Sequence, residues 1–339
     1  MTILIVGDAN ADVGAALSRF PREGDDSPVK ELAWGSGGAG VNVATGLALL
    51  GAPARLLARV GGDPAADVAL RAARRAGVDC SFVQIDPAIP TGLCYAAVSP
   101  GGERTFFSYR GANAALECPP LEDLFRGITW VHLGGHALLE GPQQETAIAV
   151  LTEARRRAVP ASVDLCLPLV RARLVDAILL APFRTAILFA NEPELAELTT
   201  LEVFSRADLG APDPIAAALA IIAAVERVFP ARVVGKLGAR GSVIGRLDPP
   251  QVVPGFPVEA RDTTGCGDAF VAAFLTALTR GASVIDCARL ANAAGALVAS
   301  RPGTAEVFPT RDELLLFLKD RGQEEPDLLS AAPGKSSSS

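Results

Sequence analysis

The sequence is poor in aromatic residues, histidine and lysine, and it has no excess of positive charge. Aromatic residues make up 5% of the 339 residues, and there are two histidines. Nearly all of the cationic residues are arginine, and the formal net charge is −7. Non-specific nucleic-acid binding needs a basic surface, so this composition argues against it. No uncharged apolar run reaches the ~18–20 residues that a membrane span needs, so we expect no membrane segment.

Paired cysteines and a basic leader are also missing. The six cysteines are scattered and form no CxxC motif, which argues against a disulfide framework. The first apolar run, Ile3–Gly7, follows no basic segment and is too short for a signal peptide. We therefore predict a cytoplasmic protein with reduced thiols.

What the sequence does contain is material for a large core. Hydrophobic residues make up 50% of the chain, and short β-rich runs alternate with helical stretches. Examples are Ile3–Gly7 and Ala54–Val60 as strands, with Gly40–Leu50 and Pro64–Ala76 as helices. This alternation predicts an α/β fold with a mainly parallel sheet flanked by helices. A further helix is predicted over Pro168–Leu180. We expect a single domain over residues 1–321 and a disordered tail over 322–339.

Two segments interrupt the alternation. Arg22–Trp34 is charged and is predicted to be rich in turns. Leu93–Val98 and Arg104–Tyr109 are strand-like and are joined by a Pro-Gly-Gly turn, so they predict a β-hairpin. Such a hairpin need not join the main sheet, and it can cover a site as a flap.

A glycine cluster between Gly35 and Gly40 formally matches the GxGxxG pattern of dinucleotide-binding proteins. It lies about 28 residues after the first strand, however, whereas a dinucleotide turn follows that strand directly. Asp63 stands at a distance suited to a ribose ligand, so that interpretation stays open. The other interpretation is a turn that only allows a helix to pack closely.

A second cluster, Asp262–Asp268, precedes an apolar helical run. Its small residues expose backbone amides at a helix N-terminus, which favours an anion. A carboxylate beside an anion site is useful when it accepts a proton from the group that attacks the anion. Asp268 is therefore either a general base or an N-cap, and Asp262 fills the capping role equally well.

Together these clusters resemble the two motifs of the ribokinase/PfkB carbohydrate kinases. The first motif runs from Gly37 to Ala44, with Gly51 and Gly61 at matching intervals, and the second is Asp262–Asp268, where Cys266 replaces the commoner Ala or Ser. The resemblance covers about Ile3 to Arg321. It implies a ribokinase-like, doubly wound α/β domain whose small β lid comprises residues of about 8–34 and 90–113. It also implies transfer of the γ-phosphate of ATP to a sugar hydroxyl, with Mg²⁺.

The resemblance implies roles for individual residues. Asp268 is the general base, beside the amides of Gly265, Cys266 and Gly267. The sugar ligands are Asn10, Asp12, Gly37, Gly38 and Asn42. For Asn10 and Asp12 a simple turn is the alternative.

Nucleotide and metal sites are implied in the same way. Asn191 and Glu194 match an N-x-x-E motif that organises Mg²⁺ through water, the alternative being a helix cap. Lys236, a phosphate ligand or a solvated lysine, begins a nucleotide-binding turn that contains Gly238 and Gly241. Asn292 and Gly295 are placed against the adenine. A monovalent cation such as K⁺ is implied near Asp262, Thr264 and Gly303, bound by backbone carbonyls.

The two histidines, His132 and His136, have the i,i+4 spacing of a helical metal pair. Gly134 and Gly135 lie between them and disfavour a helix. We therefore expect a strand end followed by a loop, with His136 near the substrate.

The sequence leaves the substrate open. Arg104 and Arg110 lie on one face of the predicted strand, ~20 Å apart, so at most one of them binds the substrate directly, and Arg110 is the better candidate. A neutral ketohexose such as fructose and a sugar acid such as 2-keto-3-deoxygluconate rank equally. Nucleosides and pentoses rank behind them, and a non-catalytic sugar or nucleotide sensor on the same fold is the alternative from a different class. By resemblance, the lid pairs two subunits into a homodimer.

Overall fold

The computed structural model describes residues 1–172, 185–200, 213–303 and 305–323. The part of the predicted helix Pro168–Leu180 beyond residue 172 and most of the predicted tail lie outside the described residues. No helix within the described ranges is long and apolar enough to cross a membrane.

A large sheet forms the centre of the described chain, and a small sheet covers the carboxyl ends of its parallel strands. The large sheet has nine strands in the order β13-β12-β11-β10-β9-β8-β1-β4-β5. They are β1 Thr2–Val6, β4 Ala54–Gly61, β5 Asp79–Asp86, β8 Ile128–Gly134, β9 Ala161–Asp164, β10 Thr185–Asn191, β11 Arg232–Lys236, β12 Ser242–Ile244 and β13 Gln251–Val253. The seven neighbouring strands β11, β10, β9, β8, β1, β4 and β5 pair in parallel. Strands β12 and β13 add antiparallel pairs next to β11.

Helices cover both faces of the large sheet. They are α1 Ala39–Leu49, α2 Pro64–Ala76, α3 Leu121–Leu124, α4 Gly141–Arg156, α5 Leu167–Arg171, α6 Glu192–Leu198, α7 Pro214–Val228, α8 Cys266–Thr279, α9 Val284–Ala299 and α10 Arg311–Lys319. One apolar core joins the sheet to α1, α2, α8, α9 and α10, and a second joins its other face to α4, α5, α6 and α7. The predicted α/β fold with helices on both faces is confirmed.

The small sheet is the lid, with strand order β3-β2-β6-β7. Its strands are β2 Asn10–Leu17, β3 Val29–Gly37, β6 Gly92–Val98 and β7 Arg104–Tyr109. The predicted hairpin is confirmed, because β6 and β7 pair antiparallel with Val98 opposite Arg104. The prediction that Arg22–Trp34 forms turns is wrong from Val29 onward, where β3 begins. The turn predicted as the alternative for Asn10 and Asp12 is also wrong, since both lie in β2.

The strand order brings several loops to one edge of the large sheet. The carboxyl ends of parallel strands lie together, and ligands bind outside them in open α/β sheets. Here β9 ends at Asp164, β10 at Asn191 and β11 at Lys236. The lid covers this same edge.

Candidate active site

The first glycine cluster joins lid strand β3 to α1 and allows an unusually close backbone approach. Gly38 has a φ of +86°, and a Cβ there would lie 2.5 Å from the carbonyl oxygen of Asp8. A Cβ on Gly40 would lie 2.6 Å from the carbonyl carbon of Gly7. Only glycine allows this approach without a shift of the backbone. The start of α1 therefore packs against the end of β1, and Asn42 reaches the centre of the site.

The second cluster places Asp268 in the first turn of α8. Gly265 is the N-cap, with a φ of +76° and no side-chain cap, so Asp268 does not cap the helix. Its Oδ2 accepts a hydrogen bond of 2.7 Å from Nδ2 of Asn42. The two motifs, 226 residues apart in sequence, thus meet in a single contact.

Burial changes the acidity of Asp268. Loss of solvent raises the pKa of its carboxyl from 3.8 to about 6, and the negative Asp164 acts in the same direction. The Asn42 amide and the Lys236 ammonium act in the opposite direction. Asp268 is therefore more basic than an exposed carboxylate and still largely ionised near pH 7.

A buried ion pair lies beside the amides of the second cluster. Nζ of Lys236 lies 2.6 Å and 2.8 Å from the two carboxylate oxygens of Asp164. A Cβ on Gly267 would lie 3.4 Å from the same nitrogen. The interpretation of Lys236 as a solvated lysine is wrong, because its side chain is only 12% exposed and is paired with Asp164. Its role toward phosphate stays a prediction.

Asn191 and Glu194 form a capping box at the start of α6. Asn191 accepts from the Glu194 amide, while the Glu194 carboxylate accepts from the backbone and the side-chain amides of Asn191. This capping box is also part of the site, because both residues line the cleft. Burial raises the pKa of Glu194 from 4.5 to about 7, with the Lys236 charge opposing this.

These residues surround one cleft of about 200 Å³ at the carboxyl edge of the sheet. It is lined by Ala39, Gly134, Gly135, His136, Asp164, Leu165, Cys166, Asn191, Glu194, Lys236, Gly265, Gly267 and Asp268.

The two histidines have different surroundings. His132 is buried in β8, where its Nδ1 lies 2.9 Å from Oγ of Ser162, and burial lowers its pKa to about 3. His136 follows the strand and lines the cleft. Within the described ranges, no group of three or more metal-ligating side chains is present.

On the lid side of the site, two buried acceptors have no hydrogen-bond partner among the residues that the structure describes. They are Oδ1 of Asp12 and Oδ1 of Asn42. A Cβ on Gly37 would lie 2.1 Å from a carboxylate oxygen of Asp12, so glycine makes room for this side chain. Burial, together with the negative charges of Asp268 and Glu306, raises the pKa of Asp12 from 3.8 to about 7.

Asn113 fixes the orientation of Asn10. Its Nδ2 donates to Oδ1 of Asn10 at 2.8 Å, and its own Oδ1 accepts from the Ala9 amide at 2.8 Å. The amide nitrogen of Asn10 is therefore directed away from Asn113. Asn113 is fully buried, and sequence reasoning did not identify it.

Arg104 and Arg110 of the lid are both held by other groups of the protein. Arg110 donates to Asp8, to Oε1 of Gln143 and to the carbonyl oxygen of His136. Arg104 donates to Asp262 and to Oγ1 of Thr264. Each guanidinium is thus paired with a carboxylate, and the two lie at different places in the site.

The nucleotide-binding turn predicted after β11 is a tight structure. Gly238 starts a single 3₁₀ turn, and a Cβ on Gly241 would lie 2.1 Å from the carbonyl oxygen of Val253. Asn292 donates from Nδ2 to the carbonyl oxygens of Val253 and Pro254, so it holds β13 against α9. Gly295 lies where a Cβ would be 3.4 Å from the Cys266 carbonyl oxygen. The roles of these residues toward a nucleotide stay predictions.

Sequence reasoning missed Asp164, Gln143 and Asn113 as members of the site. Asp164 had an available signal, because it ends a strand at the edge where ligands bind in such sheets. Gln143 and Asn113 lie in a helix and a short 3₁₀ helix, and nothing in their local sequence marks them. Their roles depend on tertiary contacts with Asp8 and Asn10.

A doubly wound domain with a β lid, and with a buried carboxylate at a glycine-rich helix N-terminus, defines a carbohydrate kinase, which is a phosphotransferase. The model of the pfkB family carbohydrate kinases matches residues 2–311, and the chain belongs to this family.

Several relatives support this assignment. An ATP-dependent ribose-1-phosphate kinase of Halopiger xanaduensis is 30% identical over 94% of this chain and 98% of its own length. A fructokinase of Klebsiella pneumoniae is 30% identical over 82% of this chain and 90% of its own. The structure of Arabidopsis thaliana ribokinase with ribose and ATP is 27% identical, covers 94% of this chain and 98% of its own, and superimposes with a TM-score of 0.75.

Proposed function

We propose that this kinase transfers the γ-phosphate of ATP to a hydroxyl of a neutral sugar, a ketohexose such as fructose or a pentose such as ribose. The observation that carries the proposal is the pair of buried, unpartnered acceptors, Oδ1 of Asp12 and Oδ1 of Asn42, beside Asp268. Buried acceptors without a donor are costly, and sugar hydroxyls are donors that would satisfy them.

The charges of the site support a neutral substrate over an acidic one. Asp12 and Asp268 would repel a carboxylate or phosphate of the substrate. The guanidinium groups of Arg104 and Arg110 already face Asp262 and Asp8. An acidic substrate would have to displace one of these ion pairs before it gained a counter-charge.

In the proposed mechanism, Asp268 accepts the proton of the attacking hydroxyl while Asn42 holds the carboxylate through Oδ2. The amides of Gly265, Cys266 and Gly267 stabilise the charge that develops on the phosphoryl oxygens, and the Cys266 amide would exchange its 3.3 Å bond to the Thr263 carbonyl for one to phosphate. Lys236, held by Asp164, adds a positive charge at the same place. The Cys266 thiol takes no part in proton transfer, since burial raises its pKa to about 12.

The carboxylates around the cleft fit a Mg²⁺ ion bound mainly by water and by ATP. Glu194 and Asn191, whose side-chain oxygens are bonded within the capping box, would hold the ion through its water ligands, since Mg²⁺ usually retains several waters in nucleotide sites. When bound, Mg²⁺ neutralises charge on the phosphates.

We also propose that the lid forms a homodimer. The strand register places Leu32, Trp34, Phe107 and Tyr109 on the lid face that is opposite to Asn10 and Asp12. These four side chains are between 48% and 57% exposed. An apolar patch of this kind is typical of an interface.

The test is ADP release measured with fructose, ribose, 2-keto-3-deoxygluconate, ribose 1-phosphate and adenosine. A neutral sugar should give the highest kcat/KM. Asp12→Asn should raise KM for that sugar at pH 8, where Asp12 with its pKa of about 7 is mostly ionised, by ~10- to 100-fold, because a hydrogen bond to a charged acceptor contributes about 1.5–3 kcal/mol. A preference for the keto acid or the sugar phosphate would refute the neutral substrate. Sugar binding without any ADP release would instead support the sensor.

A further inference from the structure

The outer edge of lid strand β3 is bonded to an ion pair of the main domain. Among the described residues β3 pairs with β2 alone, so the backbone groups on its other edge need partners from elsewhere. There the Ser36 amide donates to Oε1 of Glu306 at 2.8 Å, and the Trp34 carbonyl oxygen accepts from Nη2 of Arg71 at 3.0 Å. Arg71 also donates to Glu306 at 3.0 Å. The two side chains thus bond to β3 as a neighbouring strand would.

The Ser36 side chain anchors the same point a second time. Its hydroxyl donates to the Val68 carbonyl oxygen at 2.7 Å and accepts from the Ala72 amide at 3.0 Å. These two groups are four residues apart in α2, so the hydroxyl stands within the hydrogen-bond ladder of that helix. Ser36 is fully buried. The lid strand is therefore attached to α2 by this side chain and to Glu306 by its amide.

The anchored part of β3 lies next to Asp12. The register places Asn10 opposite Gly37 and Asp12 opposite Gly35, on either side of Ser36. The Asp12 carboxylate lies over Gly37, where a Cβ would come within 2.2 Å of its carbon. A shift of Ser36 along the main domain would therefore move the surface on which the Asp12 carboxylate lies, and with it the Oδ1 that is proposed to bind the sugar.

Glu306 lies in the 3₁₀ turn Ala305–Val307 and is ionised at neutral pH. Burial opposes its ionisation, but the bonds that it accepts from Ser36 and Arg71 hold its pKa below the usual 4.5. Its negative charge is close enough to Asp12 to raise the pKa of that carboxyl, after burial and Asp268, which are the two larger causes. The same side chain therefore acts on Asp12 twice, through the strand beneath it and through its charge.

Asp12 also faces titratable groups from three other elements. Asp268 comes from α8, and Cys94 stands opposite Asp12 in β6. Burial raises the pKa of the Cys94 thiol above its usual value, so this thiol is neutral. Arg104 of β7 lies on the same lid face, where it is paired with a carboxylate of the second cluster. Of the two negative charges that act on Asp12, Glu306 is the one that can be removed without changing the proposed general base.

Resting on the proposed kinase activity, we propose that Glu306 is a positioning residue for sugar binding, which fixes β3 beneath Asp12 and holds a second negative charge near the Asp12 carboxylate. The first effect strengthens sugar binding at every pH. The second delays the ionisation of Asp12, so the affinity for the sugar rises as pH passes the Asp12 pKa of about 7.

The experiment measures the dissociation constants of fructose and of ribose by calorimetry between pH 5.5 and pH 8.5, without nucleotide, for the wild type, Glu306→Gln and Glu306→Ala. Glutamine keeps an acceptor for the Ser36 amide but carries no charge. The curve of log Kd against pH should therefore move to lower pH. At pH 6 this variant should bind the sugar more tightly than the wild type by roughly 2- to 5-fold, because more of Asp12 is ionised.

Glu306→Ala tests the positional effect. Alanine leaves the Ser36 amide and Arg71 without their carboxylate. At pH 8, where Asp12 is mostly ionised in all three proteins, Kd should rise by roughly 10-fold, because a small misplacement of a binding group costs about this much or more.

Glu313→Gln is the matched control. It also replaces a glutamate that accepts from a backbone amide and pairs with an arginine, Arg301, but it lies in α10 and not at a lid strand. Its log Kd curve should have the wild-type midpoint.

A second readout needs no sugar. The ¹³C resonance of the Asp12 carboxyl, assigned by its absence from Asp12→Asn, should titrate at lower pH in Glu306→Gln than in the wild type. An unmoved titration, or weaker sugar binding by Glu306→Gln at every pH, would overturn the proposal, as would a wild-type Kd of Glu306→Ala at pH 8. If none of these proteins binds or phosphorylates either sugar, the proposed function fails, and the carboxyl titration still decides whether Glu306 acts on Asp12.

Discussion

Asp268 is buried at the point where the two glycine motifs meet, and this position affects both its proposed role as general base and the stability of the fold. Asn42 donates to only one of its oxygens, Oδ2. The other oxygen is available to a sugar hydroxyl. A general base in this position contributes most when its pKa is close to the working pH.

We predict that Asp268→Asn lowers kcat by ~10²–10⁴, the usual contribution of a general base, with little change in ATP affinity. At pH 8 the same variant should have a higher free energy of unfolding than the wild type. The folded protein binds the Asp268 proton more tightly than the unfolded chain, because burial raises this pKa from 3.8 to about 6. Stability is therefore lost as pH rises through this range, by up to about 3 kcal/mol, and the amide avoids that loss. Steady-state kinetics and denaturant unfolding at pH 4 and pH 8 measure the two effects.

Asp286→Asn provides the control for this prediction. Asp286 is the third residue of α9, as Asp268 is of α8, but it is only half-buried, with a side chain 39% exposed, and lies at a helix start capped by Ser283. It should leave kcat unchanged. Normal turnover of Asp268→Asn would exclude it as the base.

The ion pair between Lys236 and Asp164 shows what the sequence does not reveal about single residues. The two are 72 positions apart, and they meet because β9 and β11 flank β10 in the sheet. A lysine at a strand end is ambiguous until the strand order is known. Asp268 and Asn191 were identifiable because each belongs to a local motif whose spacing survives in sequence.

Among the elements, α6 has two functions, since its N-terminal capping box also lines the cleft. Glu194→Gln should raise the Mg²⁺ concentration needed for half-maximal rate, because an amide is a weaker ligand for Mg²⁺ and its waters than a carboxylate. The rate measured against Mg²⁺ concentration checks this. Removing Mg²⁺ with a chelator should abolish activity in both proteins.

A second capping box in the same chain separates capping from metal use. Glu313 caps α10 together with Thr310 and has the same pattern of hydrogen bonds. Glu313→Gln should weaken the fold by a similar amount without changing the Mg²⁺ dependence. If both variants keep the wild-type dependence, Glu194 serves only as a cap.

The elements that the sequence predicted well are those with a strong period or a clear cap. Helix α2 was predicted with its observed bounds, because Asp63 caps it, Pro64 begins it and Gly77 ends it. Strand β3 was missed because most of its residues are exposed, so it lacks the apolar alternation that marks a half-buried strand. Strands β12 and β13 have three residues each, which is too short for a periodic signal.

For the whole molecule, the lid face opposite the site predicts the oligomeric state. Replacing both Trp34 and Phe107 with Ser should convert the proposed dimer to a monomer, since these half-exposed side chains would supply much of the buried apolar area. Light scattering coupled to gel filtration measures the mass. Leu316→Ser, at a residue 58% exposed on α10, should leave the dimer intact. A wild type that is monomeric at every concentration would contradict the proposed dimer.

The contacts of Asn113 have a consequence for how the lid and the sugar depend on each other. This side chain bonds to Ala9 and Asn10 where the chain enters the lid, and to the Arg110 carbonyl where the chain leaves it. Asn10 thus lies where the chain enters the lid and is also a proposed ligand of the sugar. The two equilibria are then thermodynamically linked. If the lid position that covers the cleft increases sugar affinity by some factor, bound sugar increases the population of that lid position by the same factor. A sugar that fails to engage Asn10 would leave the cleft more open to water, and ATP in that state would be exposed to hydrolysis.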